Sequence, residues 1–247
     1  MKLVQDDEEK QKIKRIHHYD SYLLIILNFI EMKTLIIILA FATLSFTGLS
    51  NETYQKAMSQ SIEQLYQAKS IAEYVEVANQ FERISNIEKT EWLPLYYASF
   101  AYIMISFQET DNAKKDTYLD QAQKYLDQAM VIEPNESELY LLQGFLYPSR
   151  INIDPMNRGM AYIGKMNGSL DKALELNADN PRVYYLRATM TYHTPEAYGG
   201  GAAKALPLYK MADEKFRNFK PKTELSPNWG KEINEAEFEN AKTSLGK

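Results

Sequence analysis

The chain has no cysteine. That absence removes disulfides, thiolate nucleophiles, cysteine-ligated zinc and a lipid-modified cysteine anchor. Histidine is scarce as well. His17 and His18 lie near the N-terminus and His193 stands alone. A single histidine at the end of a helical stretch reads as a C-terminal cap facing the helix dipole rather than a base or a ligand. There is no P-loop, no GxSxG, no HExxH and no EF-hand loop. Acid pairs such as Asp6-Asp7 and Asp213-Glu214 fall on polar stretches and read as solvated faces. A basic excess is missing too: the net charge is −5, which argues against a nucleic-acid backbone as partner. No stretch alternates apolar and polar residues for long, so no sheet is expected. These absences point away from an enzyme and away from a cofactor or metal.

The first fifty residues do not read as part of a folded domain. Residues 5–20 are charged and lack an apolar face. Residues 22–30 are apolar but short, and residues 34–46 form a second apolar run. Met32-Lys33, that second run, and the small residues Gly48 and Ser50 before Asn51 have the anatomy of a secretory signal over 32–50. Met32 is then the expected start, with residues 1–31 an extension. The alternative is one uncleaved anchor made of both runs, with Glu31 and Lys33 as costly interruptions. Either way the remainder is expected to be exported to the periplasm or cell envelope.

From residue 51 onward the pattern is helical and repeats. Ala122, Leu126 and Ala129 share one face at i, i+4 and i+7, and Pro134 follows. Met166, Leu170 and Ala173 repeat that face, as do Ala205, Tyr209 and Ala212, and more loosely Val77, Phe81 and Ile84. A second pattern precedes it: Leu95, Ser99 and Tyr102, then Tyr140, Gly144 and Tyr147, then Tyr184, Ala188 and Thr191. Small residues at Ala122, Ala129 and Gly144 let backbones approach. The spacing predicts helices near 52–67, 71–86, 91–107, 115–132, 137–147, 156–176, 181–193, 202–219 and 230–244. The first eight pair into four hairpins. The ninth is amphipathic and suits a cap over the last apolar face.

Two segments between paired helices are longer than a tight turn needs. Residues 147–159 contain Asp154-Pro155, an N-cap followed by proline at the first helical position, flanked by Arg150 and Arg158. Residues 193–201 run from His193 through Tyr198 to Gly199, Gly200 and Gly201, with Lys204 just beyond. Glycines before a helix leave backbone N–H groups open to an anion. Read as loops, both lie at one edge of adjacent repeats, where these residues form a candidate edge for a ligand or partner. The plainer reading is that such loops need proline and glycine to turn, with Arg150 paired to Asp154.

The alternating small and aromatic positions resemble the tetratricopeptide repeat (TPR) superfamily over roughly residues 91–219. The repeat here is 44 to 45 residues, measured from Ser99 to Gly144 to Ala188, against about 34 in the consensus. The 147–159 segment, the 193–204 run and Ser226–Gly230 are similar to exported TPR proteins of unassigned function from Bacteroidota-type bacteria. The resemblance implies an all-α, TPR-like α-solenoid of about four hairpins plus a C-terminal capping helix, spanning 51–247 behind the N-terminal signal or anchor segment. It implies a scaffold for a protein or peptide partner, identity unknown, using the surface lined by the first helix of each hairpin. A chaperone-type carboxylate clamp is not implied, because its positions hold Leu141, Phe145, Tyr185 and Thr189. The alternative function is an accessory protein holding a small anionic solute at the edge near Arg150, Arg158 and Lys204. No nucleic acid is expected, and a membrane only through the N-terminal segment if uncleaved.

Overall fold

The computed structural model describes residues 51–246; the expected signal and the start at Met32 lie outside them. The chain divides into two compact units, Met1–Thr53 and Tyr54–Lys247, and the helical stack belongs to the second. The described residues contain no strand. The helices are α1 (residues 51–67), α2 (Ile71–Ile87), α3 (Leu93–Gln108), α4 (Asn112–Ile132), α5 (Ser137–Ile153), α6 (Pro155–Leu176), α7 (Pro181–His193), α8 (Ala202–Asn218) and α9 (Lys231–Ser244). The fold is an all-α, TPR-like stack of consecutive hairpins.

Local chemistry explains most boundaries. Ser70 and Glu73 make a reciprocal capping box at the start of α2. Asp111 accepts from the backbone N–H groups of Ala113 and Lys114 and opens α4. Those two N–H groups hold the Asp111 carboxyl below the usual carboxylate range. Pro155 and Pro181 sit in the first turns of α6 and α7, where a missing N–H costs nothing. Tyr140 Oη donates to Pro134 O and Tyr184 Oη to Ala178 O, the same contact one repeat apart.

The apolar faces meet as the spacing requires. Ala122, Leu126, Ala129, Leu170, Ala173, Ala188, Ala205, Tyr209 and Ala212 are fully buried, and Met166 nearly so. Gly144 is needed where α5 meets α6: a Cβ there would lie 2.6 Å from Leu170 Cδ2. Successive first helices approach one another, α3 against α5 and α5 against α7, while α4, α6 and α8 make no such backbone contacts with each other. The stack therefore curves with α3, α5 and α7 on its inner side.

Two expectations are corrected. Helix α5 does not end at residue 147. It continues through Pro148 to Ile153, and α6 begins after the single residue Asp154. Helix α4 likewise starts at 112, not 115. The extra length of each repeat therefore sits largely in longer helices rather than loops. Side chains hold the additional turns of α5: Ser149 Oγ lies 2.8 Å from Ser106 Oγ in the interior, and Arg150 reaches Asp116 and Asp120 on α4.

The second correction concerns the inner face, which is not an open groove. Helix α9 packs on α8 and α7 as a cap. The segment before it, residues 219–230, turns back across the inner helices as a strap. Tyr97 Oη donates to Leu225 O at 2.7 Å, and Trp229 Nε1 donates to Tyr96 Oη at 2.9 Å. The Trp229 ring, 8% exposed, sits 5.2 Å from Phe100 and 5.4 Å from Phe145. Leu141, Phe145 and Tyr185 thus belong to packed surroundings rather than a free peptide channel, and Thr189 Oγ1 donates to Glu237 of α9.

Candidate functional site

Where the strap leaves α8 it borders a half-open cleft of about 570 Å³, inside the range of about 300–1,000 Å³ typical of small-molecule sites. Its residues come from four places: Trp92 before α3, Glu136 and Glu138 at the start of α5, Asn177, Asp179 and Arg182 around the α6–α7 turn, and the end of α8 with residues 219–227. Trp92 and Phe219 are half-buried and supply flat apolar walls.

Its floor is an ion pair. Glu138 and Arg182 occupy equivalent positions of successive repeats. Arg182 is 1% exposed. Its Nε donates to Glu138 Oε2 at 3.0 Å, Nη2 to Oε1 at 2.7 Å, and Nη1 to Trp229 O at 3.3 Å. The Phe219 ring lies 4.6 Å and the Trp229 ring 5.7 Å from the guanidinium carbon. Burial pulls the Arg182 pKa down, and the Glu138 carboxylate more than offsets this, so the net shift is upward. Asn180, the N-cap of α7, donates to both Ser137 Oγ and Glu138 Oε1 and completes the network. Burial also raises the phenol pKa values of Tyr96 and Tyr97 beside it.

The other charges of the cleft are partly matched. Lys222 Nζ lies 2.6 Å from Glu136 Oε2, and Lys215 pairs with Asp179. Among the described residues, Glu214 and Lys220 have no ion-pair partner. No group of three or more histidine, cysteine, aspartate or glutamate side chains is arranged to hold a metal among those residues.

The edge expected from sequence is arranged differently. Arg150 Nη1 lies 2.5 Å from Asp116 Oδ1 and Nη2 lies 2.5 Å from Asp120 Oδ1, while Arg158 Nη2 lies 2.7 Å from Asp116 Oδ2. Both arginines are thus engaged by acids of α4, not by Asp154. The Arg158 guanidinium holds the Asp116 carboxyl below its ordinary range. Asp154 caps α6 through Asn157 N. In the other segment the glycine N–H groups are not open. Gly199 N donates to Glu196 O, Gly200 N to Pro195 O and Gly201 N to Thr191 O. A Cβ on Gly201 would meet Glu196 Oε1 at 3.1 Å, so a carboxylate already stands at that helix start. His193 and Tyr198 are exposed, His193 with its ring edge-on to Tyr192. Among the described residues, no hydrogen bond or ion pair joins Arg150 or Arg158 to the 193–204 segment. Reading by sequence missed the cleft. Leu225 and Trp229, apolar residues stranded between helices, were the signal that this segment packs on something.

No protein-family model matches the chain, and no curated protein matches it. Solved structures do. The HusA haemophore from Porphyromonas gingivalis superposes with a TM-score of 0.70 at 26% identity, over 77% of this chain and 94% of that one. A thermophilic TPR protein of Thermus thermophilus aligns over 76% of this chain and 98% of that one, at 20% identity and a TM-score of 0.40. The TPR-like architecture rests on the helix pairings above rather than on that second superposition.

Proposed function

We propose that this chain is an exported, non-enzymatic binding protein that carries a haem-type ligand. The carrying observation is the likeness to the HusA haemophore, which extends over 94% of that chain. The half-open cleft with two aromatic walls supports it, because a carrier needs a concave site rather than a flat surface. Titrating the protein with hemin should shift and sharpen the Soret band to a saturating end point. Absorbance changes that track free hemin at every protein concentration would overturn the proposal. Export is checked separately: N-terminal sequencing of the native protein should read from near Asn51, and a full-length species in the membrane pellet would show an anchored form instead.

A second reading, a scaffold for a protein partner, is favoured by one surface. Met156 and Met160 on α6 are 93% and 94% exposed, with Ile163 on the same face. Large apolar side chains so bare at i, i+4 and i+7 suit a partner's apolar face. The inner-groove version of that reading is weakened, because the strap fills the groove. The anionic-solute reading at Arg150 and Arg158 is weakened too, because Asp116 and Asp120 already hold both cations.

A further inference from the structure

The proposal of a haem-type ligand leaves open where it sits, and the structure offers two places with exposed apolar surface: the cleft beside the strap, where Trp92 and Phe219 stand among charged residues, and the bare face of α6. We infer that the cleft is the site, and that it takes a planar ring system bearing two carboxylates, with the ring against Trp92 and Phe219 and the carboxylates at Lys220 and Lys222. This inference rests on the binding function proposed above.

The volume is sufficient, and the apolar walls are rings rather than aliphatic chains. Flat faces stack on flat faces, and each such contact adds to simple burial. Phe219 is fixed in orientation, because its other side covers the buried Arg182 guanidinium. The α6 face has no such walls and no enclosure. Its methionines stand nearly bare in water.

The lysines supply the second half of the recognition. Phe219, the C-cap of α8, has extended backbone, and the residues after it are not helical. Lys220 and Lys222 both line the cleft, one on either side of Pro221. Lys220 has no ion-pair partner among the described residues. Lys222 has its side chain 74% exposed and meets one carboxylate, Glu136, leaving further N–H donors of its ammonium for a second acceptor. Together they present two cations on one rim. Glu214, the lining acid without a cation, lies on α8 and repels a carboxylate placed there. This sets a polarity for the ligand, carboxylates toward the strap.

The test is hemin titration of the full chain and of four variants, followed by absorbance, with circular dichroism confirming helix content. Lys220→Ala and Lys222→Ala should each weaken hemin by about twofold to fivefold, the range for exposed ion pairs. The loss should diminish at high salt. Phe219→Leu keeps an apolar wall but removes the ring, and should weaken binding while leaving its salt dependence unchanged. The double variant Met156→Ala/Met160→Ala should bind as the parent does. Hemin binding in the parent that is indifferent to both lysines, or lost only in the methionine variant, would overturn the site and leave the binding function standing. No hemin binding by the parent would overturn both.

Discussion

Replacing Arg182 with alanine should lower the unfolding free energy by about 3–5 kcal/mol, the cost of breaking a buried pair from one side. The size follows from what is left behind. Glu138 would keep its charge in the interior with Asn180 and Ser137 as its neutral neighbours. The strap would lose the donor to Trp229 O, and Phe219 would lose the flat cation it covers. Urea unfolding followed by circular dichroism reads the change. The pair itself is a weak source of net stability, because removing two charges from water costs about as much as their attraction returns. The double variant Glu138→Leu/Arg182→Met should therefore recover most of the loss. A single-variant loss below about 1 kcal/mol would mean that water reaches the pair through the cleft, as it does for exposed ion pairs.

Trp229→Ala should be of similar magnitude, about 3–5 kcal/mol for a large aromatic cut from a packed interior. Its ring packs against both Phe100 and Phe145, and its N–H supplies Tyr96 Oη with a donor. The distinctive result is spatial. Loss of this anchor frees the strap, so protease cleavage and amide exchange should rise first in residues 219–230, while the α3–α4 and α5–α6 hairpins stay protected. Uniform loss of protection along the chain would mean that the strap is not a separate element.

Much of the architecture was readable from local pattern. The i, i+4, i+7 faces of α4, α6 and α8 placed Leu126, Leu170 and Tyr209 inside, because a solenoid buries one stripe per helix and leaves a regular trace. What was not readable depends on partners far away in sequence. Pro148 lacks an N–H and crowds the carbonyl four residues back, so it reads as a stop. Helix α5 passes through it because Ser149 and Arg150 are held by α3 and α4, more than thirty residues earlier. The same holds for Arg150, whose acids Asp116 and Asp120 lie on the preceding helix about thirty residues earlier. The cleft was hidden for the further reason that its residues come from four separated stretches. No window of sequence contains Trp92, Glu138, Arg182 and Phe219 together.

The strap also changes how the molecule is expected to unfold. In a plain repeat array each hairpin touches only its neighbours, stability is a sum of adjacent terms, and the ends fray independently. Here Tyr97 meets Leu225 across 128 residues and Tyr96 meets Trp229 across 133. These contacts tie the chain's last quarter to an early hairpin and close the linear array into a ring of dependencies. Closing so long a loop slows folding, since its entropy cost precedes any reward. Once closed, neither end can open without disturbing the middle, so an architecture built from quasi-independent units acquires the all-or-none melting of a single globule.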